Sequence, residues 1–415
     1  MIAERRGPES PMTEHDPLSP AGRRALLIQR QARLRDAMRD ASVPALLVLD
    51  SVNIQYATGA RNMTIFSTRT PARYLLLIAE GPAILYEYFG CEHLAQDLPT
   101  LQNVRPARGL CHVSSGGDPS GQAAAMAAEI ASVLREQGVA PERLAVDRFP
   151  LAATDALRAE GLRLVDADPL FAAARRLKLP GEIALLREAL RRVARAAAEM
   201  AAGIEPGRRE TDIWADFQQP FLADEGEYVV TRLLQTGPRT YPYFQEAGPR
   251  RLAPGDLLCF DTDTVGFAGY CTDFSRTYLC GDRPASPAQK DLYAKAKEQL
   301  DWNAALIRPG RSFREIAEAA WPIPEAHRQS RYYCIGHGLG LSGEFPNIPH
   351  AVPGEPYPLS GGVEPGMVIC IESYVGSAES GEGVKLEDQL LVTESGTDCM
   401  SGAVPFDERL IARTL

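Results

Sequence analysis

No stretch of this 415-residue chain approaches the roughly 18 consecutive apolar residues that a membrane-spanning helix needs, so no membrane partner is expected. A basic excess is also lacking, because 44 Lys and Arg face 54 Asp and Glu for a net charge of −10. Without a basic face to neutralise phosphates, binding to nucleic acid is not expected either. The eight cysteines are Cys91, Cys111, Cys259, Cys271, Cys280, Cys334, Cys370 and Cys399, and none forms a C-x-x-C pair. That argues against a zinc knuckle, a thioredoxin-type centre or a catalytic cysteine. Scattered cysteines with mostly apolar flanks fit a reducing, cytoplasmic location. The N-terminus is polar and Pro-rich with no apolar stretch behind its charges. Residues 1–21 therefore read as a disordered tail and not as a secretory signal.

What remains is ordinary globular composition, 45% apolar and 24% charged. A chain of this length divides into two domains by default. A helix is expected from about Ala21 to Ala41, a buried strand in VPALLVLD from Val43, and two strands joined by a Gly-Pro turn in ARYLLLIAEGPAILYE from Ala72. A helix over Ala123–Gly138 and a short strand in RLAVD follow. This alternation predicts a smaller α/β domain over residues 22–173. Pro180-Gly181 then breaks the chain ahead of a long helical pattern that runs to Met200, and residues 174–415 form the second domain.

The second domain contains an internal repeat. Ile204-Glu205-Pro206-Gly207-Arg208, followed by Ile213, matches Ile307-Arg308-Pro309-Gly310-Arg311, followed by Ile316, at an offset of 103. Downstream, Leu252-Ala253-Pro254-Gly255 leads through LLCF to Asp261, and Val363-Glu364-Pro365-Gly366 leads through VICI to Glu372. Pro-Gly turns before strands are common, so one match would prove little. Two in the same order favour a duplicated α+β unit that brings its strand-borne acids to the centre.

Those acids carry the chemistry. Asp261 and Asp263 are two apart and, on one strand, would leave the same face. Val265 to Gly269 can turn the chain and return Asp273 on a partner strand. Three carboxylates ~4 Å apart repel by about 4 kcal/mol per pair at an effective dielectric of 20, so a cation is needed on such apolar strands. His337 lies in Ile-Gly-His-Gly-Leu-Gly, where glycines allow close backbone approach. Glu372 ends VICIE, and Glu387 lies in the strand-like VKLEDQLLVT. Five carboxylates and one histidine suit two divalent metal ions, with Fe, Mn, Co and Zn all admissible.

At these residues the chain resembles the M24 metallopeptidase superfamily, the group of methionine aminopeptidases, X-Pro aminopeptidases, prolidases and creatinase. The resemblance spans nearly everything after the tail and implies an α+β pita-bread catalytic domain behind a creatinase-type N-terminal α/β domain. It implies a homodimer, and metal ligands at Asp261, Asp263, Asp273, His337, Glu372 and Glu387. The segments TRLLQTGPRTYPYFQEAGPR, HGLGLSGEFP and VKLEDQLLVTE look like the metal-dependent dimethylsulfoniopropionate lyase branch. Peptidase members usually carry a histidine seven residues after the ligand one, where this chain has Glu344. They also carry one upstream, where GPRTYPYF offers Tyr241, Tyr243 and Phe244. The lyase branch has an acid, its proposed base, where this chain has Gly343.

The leading expectation is a lyase acting on a small carboxylated sulfonium or related zwitterion. Tyr241, Tyr243, Tyr332 and Tyr333 would contact the substrate, and Tyr332, Glu344 and Glu372 are the candidate catalytic groups. An X-Pro dipeptidase or aminopeptidase with Glu372 as proton shuttle is the alternative. A non-catalytic binding protein on the same fold is the third reading.

Overall fold

The computed structural model describes residues 16–139 and 143–411. Most of the tail predicted to be disordered, residues 1–15, lies outside them. The chain divides into two compact units between Arg175 and Arg176. No helix among the described residues is long and apolar enough to cross a membrane.

The first unit opens with α1 (Pro20–Asp40), which starts where Ser19 accepts a hydrogen bond from the Gly22 N–H. It continues through β1 (Ala45–Val48), α2 (Ser51–Thr58), α3 (Thr64–Arg69), β2 (Tyr74–Ile78), β3 (Ala83–Glu87) and β4 (Asn103–Pro106). Then come α4 (Pro119–Glu136), β5 (Leu144–Val146), α5 (Leu151–Ala159), β6 (Leu164–Asp166) and α6 (Asp168–Arg175). The strands form one sheet in the order β4-β3-β2-β1-β5-β6, antiparallel at β3–β2 and β2–β1 and parallel at β4–β3, β1–β5 and β5–β6. The apolar run of β2 is buried at every residue, as a strand covered on both faces requires. Arg73 and Glu87, both sealed from solvent, close one end with a 2.9 Å ion pair.

The second unit begins with α7 (Pro180–Ala202) and α8 (Glu210–Ala223), followed by β7 (Tyr228–Val229), β8 (Leu234–Thr236), β9 (Leu257–Asp261), β10 (Thr264–Val265), β11 (Cys271–Thr272) and β12 (Ser275–Leu279). It continues with α9 (Pro287–Leu306), α10 (Phe313–Ala319), α11 (Glu325–Arg328), β13 (Cys334–Leu339), β14 (Gly343–Pro349), β15 (Val368–Ser377), β16 (Glu382–Thr393) and β17 (Gly396–Cys399). Its main sheet runs β14-β13-β15-β16-β12-β9-β8, with β17 on β16.

The expected repeat is visible in its hydrogen bonds. Gly207 N–H donates to Leu252 O and Leu252 N–H to Arg208 O; in the second copy Gly310 N–H donates to Val363 O and Val363 N–H to Arg311 O. Gly255 and Gly366, at φ 87° and 90°, turn the chain into β9 and β15 in a conformation that favours glycine. The same bonding at the same motif positions makes the two halves structural equivalents.

Candidate metal centre

The acids meet because four strands line up in register. Asp261 on β9 stands opposite Ser275 on β12, Ser275 opposite Glu387 on β16, and Glu387 opposite Glu372 on β15. His337 on β13 stands opposite Cys370, two residues before Glu372. Glycines make this possible: a Cβ at Gly336 would collide with the Cys370 carbonyl, and one at Gly338 with the Phe345 carbonyl.

The expected pairing of Asp261 and Asp263 on one strand face is not observed. β9 ends at Asp261, and Asp263 takes a left-handed φ of 34°. Its carbonyl accepts the Val230 N–H at 2.7 Å and its carboxylate the Thr231 hydroxyl, so this segment turns its carboxylate by a backbone reversal. Asp263 still faces the other acids. Burial and the Asp261 charge raise its carboxyl to about 6.

Asp261, Asp273, Glu372 and Glu387 are at most 5% exposed. Burial, then the Glu372 charge, pushes Glu387 up to about 8, and Asp273 is raised well above its ordinary value by burial and Glu387. Glu372 moves the other way. Burial raises it, but the Lys385 charge and the His337 hydrogen bond outweigh burial and lower it.

Lys385 was not anticipated. Its ammonium is fully buried, 2.6 Å from Glu372 Oε2, 2.9 Å from Glu387 Oε2, 3.5 Å from Asp261 Oδ2 and 2.6 Å from Ser275 Oγ. It sits two residues before Glu387 on β16, so period-two alternation alone places it on the acid face. Cys370 was also missed. A ligand-capable atom from each of Asp273, His337, Cys370 and Glu387 lies within 4.8 Å of the others.

One lysine does not balance five carboxylates. Asp261 Oδ1, Asp273 Oδ1 and Glu387 Oε1 are buried without a hydrogen-bond partner. His337 Nε2 lies 3.4 Å from Glu372, 3.5 Å from Asp273 and 3.9 Å from Glu387. Its Nδ1 is 3.1 Å from Gly338 O, which places a proton on Nδ1 and turns Nε2 to the carboxylates. Burial disfavours a second ring proton, but Glu372 and Glu387 raise the imidazole to about 9. Orphaned acceptors converging with one imidazole nitrogen are what a divalent cation would satisfy, and the donor set fits one.

The remaining expected residues separate. Tyr243 donates to Asp261 Oδ2 at 2.8 Å. Tyr332 packs 5.9 Å from Tyr243 and presents its ring face 4.8 Å from the Lys385 ammonium. Tyr333 lies 4.9 Å from Tyr332 and is exposed. Tyr241 is half-buried and packs against Gly376. Glu344, across the β13–β14 ladder from Gly338, makes a 2.9 Å ion pair with Lys178 and also accepts the Leu341 N–H.

The sequence profile of metallopeptidase family M24 matches residues 184–394, the stretch that contains every one of these acids. The chain belongs to metallopeptidase family M24. The profile of the creatinase/prolidase N-terminal domain matches residues 30–177 of this M24 enzyme. The dimethylsulfoniopropionate lyase DddP of Roseovarius nubinhibens is 34% identical to it over 92% of this chain and 87% of that protein. A probable dipeptidase PepE from Mycobacterium tuberculosis is 28% identical over 89% of this chain and 92% of its own. The prolidase of Thermococcus sibiricus superposes with a TM-score of 0.74 at 19% identity, covering 91% of this chain and 97% of that one. The prolidase of Pyrococcus horikoshii gives 0.72 at 20%, covering 92% and 100%. These likenesses establish the pita-bread fold with its N-terminal partner domain, as expected. M24 enzymes are divalent-metal enzymes, and the acid cluster is where this one would hold its metal.

Proposed function

We propose that this M24 enzyme is a lyase that cleaves dimethylsulfoniopropionate, or a closely related carboxylated zwitterion, to acrylate and dimethyl sulfide. The observation that carries the reading is an aromatic wall beside the acid cluster. The rings of Tyr243, Phe244, Tyr332 and Tyr333 pack at 4.8–6.4 Å from one another. Part of that wall stands where peptidase members carry their upstream histidine. Aromatic faces attract cations, and Tyr332 already faces one in Lys385. The 34% identity to the Roseovarius lyase agrees.

Asp261, Asp263, Asp273, His337, Glu372 and Glu387 would hold two divalent ions. When bound, these supply charge stabilisation to a substrate carboxylate whose α-carbon is losing its proton. The chain's own work is to bind the cationic end on the aromatic wall and to accept that proton. The C–S bond then breaks with its electron pair on sulfur, giving dimethyl sulfide, acrylate and one proton. Of the three expected catalytic groups, Glu344 is held by Lys178 and Glu372 by Lys385 and His337. Tyr332 stands between the wall and the acids and is the acceptor we assign. It would accept that proton only as the phenolate: burial first, then Glu372, Asp261 and Glu387, hold the phenol far above the ordinary range, so cations on those acids would have to offset burial as well as cancel the acids' own share.

A dipeptidase reading keeps one specific support, the 28% identity to PepE over nearly the whole chain. Against it, position 344 carries a glutamate in an ion pair where peptidases have histidine. Metal analysis of the purified protein, followed by assay of the same sample on dimethylsulfoniopropionate and Gly-Pro, decides between them. Two metal equivalents with dimethyl sulfide release are expected. Gly-Pro cleavage without dimethyl sulfide would move the enzyme to the peptidases.

A further inference from the structure

The outermost ring of the aromatic wall is held in an unusual way. Phe244 has φ 67°, a left-handed backbone that a bulky residue adopts only when its surroundings impose it. Both neighbours are pinned. Tyr243 is tied through its hydroxyl to Asp261 Oδ2 at 2.8 Å, and the Gln245 N–H donates to the buried Gln235 Oε1 at 2.8 Å. Gln245 also accepts from Arg239 and donates to Pro242 O, while Ala247 N–H donates to Arg232 O. The chain between these anchors has no slack, and Phe244 bears the reversal.

That conformation does not serve core packing. The Phe244 side chain is 54% exposed, whereas Tyr243 and Tyr332, which it covers, are each 9% exposed. Its ring centroid lies 4.8 Å from Tyr243, 5.2 Å from Tyr332 and 6.4 Å from Tyr333. An apolar ring held half in water, on a strained backbone, one layer out from the acid cluster, is placed for contact with something that enters. A residue selected only for stability here would be glycine or asparagine, which adopt this backbone readily.

We infer that Phe244 is a specificity-determining contact for the cationic end of the substrate. Backed by Tyr332, its exposed π-face accepts a sulfonium or quaternary ammonium group and discriminates against a neutral group of the same shape. The inference rests on the lyase reading above. Other aromatic positions supply the wall, but Phe244 alone among them combines exposure with an imposed left-handed backbone.

The test is calorimetric binding of dimethylsulfoniopropionate and of 4-methylpentanoate, its isostere without the cationic centre, to the metal-loaded enzyme, beside steady-state kinetics. Phe244→Leu keeps an apolar side chain and removes the π-face; Phe244→Trp restores and enlarges it. The expected result is a roughly 5- to 30-fold weaker affinity for dimethylsulfoniopropionate in the Leu variant, matching a cation–π contribution of the usual size. KM should rise with kcat within about threefold, 4-methylpentanoate affinity should stay within about twofold, and the Trp variant should bind at least as well as the wild type. If the Leu variant binds both compounds as the wild type does, or loses both equally, Phe244 makes no charge-specific contact. If the wild type itself gives neither heat nor turnover with dimethylsulfoniopropionate, the lyase reading fails and this inference falls with it.

Discussion

Replacing Lys385 by Met removes the one ammonium buried among the acids and leaves Asp261, Glu372 and Glu387 facing one another. At the observed 2.6, 2.9 and 3.5 Å, each attraction is about 5–6 kcal/mol at an effective dielectric of 20, before the lysine's own desolvation is subtracted. That cost is large for a fully buried ammonium, so the net loss is nearer the 3–5 kcal/mol typical of a buried ion pair deprived of one partner. In a unit of this size each kcal/mol moves the melting temperature by roughly 2–4 °C, so the metal-free variant should melt ~6–20 °C below the wild type. Divalent ions would replace the missing charge, and with saturating Mn²⁺ the difference should shrink by at least half. Melting curves of both proteins at pH 7.5, in chelator and in Mn²⁺, measure this directly. An equal drop in both media would mean that Lys385 acts by packing alone. No drop in chelator would show that the acids are not held by it at all.

Three further outcomes follow from other parts of the molecule. His350 is held near 4 by burial and the Arg331 charge, so the unfolded chain takes a proton at about 6.5 that the folded one refuses. Stability is therefore intact above pH 6.5 and falls by about 3 kcal/mol as pH drops toward 4, and His350→Gln should flatten that part of a urea-midpoint-versus-pH curve. A Cβ added at Gly343 meets nothing within 4 Å, so Gly343→Asp should leave melting almost unchanged. If an acid there is the better base, it should raise dimethyl sulfide release by about 10²-fold or more, and an unchanged rate would show that position 343 has no part in proton transfer. In the first unit, Glu87→Gln strands the buried Arg73 and should cost about 3–5 kcal/mol in chemical denaturation; a loss below about 1 kcal/mol would mean Arg73 finds other partners.

Much of the acid cluster was legible because its members stand beside local markers: a Pro-Gly turn before Asp261 and Glu372, glycines around His337, alternation around Glu387. The duplicated turns were legible for the same reason, since Gly207 and Gly310 repeat a short motif. What stayed hidden depended on register between distant strands. Nothing local says that Ser275 will stand opposite Glu387, 112 residues away. Lys385 is a different kind of omission, because two-residue alternation from Glu387 already placed it on the acid face. Asp263 joins the acids as expected but by another route, because the strand stops at Asp261 and a left-handed φ at Asp263, not strand alternation, sets its carboxylate. The Lys178 partner of Glu344 was likewise invisible, because the two are 166 residues apart in sequence.

Where the two equivalent halves join, β12 meets β16 through a single aligned pair, Ser275 and Glu387. The rest of that seam is sewn by side chains. Thr277 Oγ1 donates to Lys385 O and accepts the Lys385 N–H, and Arg276 ties both Ser275 O and Glu387 O. A backbone ladder tolerates almost any residue along its length, but a seam stitched by hydroxyl and guanidinium groups does not. The acids of both halves lie along it, so ions seated there would rivet the join that the backbone leaves thin. Loss of metal should then be felt first as a loosening between β12 and β16, with faster amide exchange there than in the hairpin of β15 and β16.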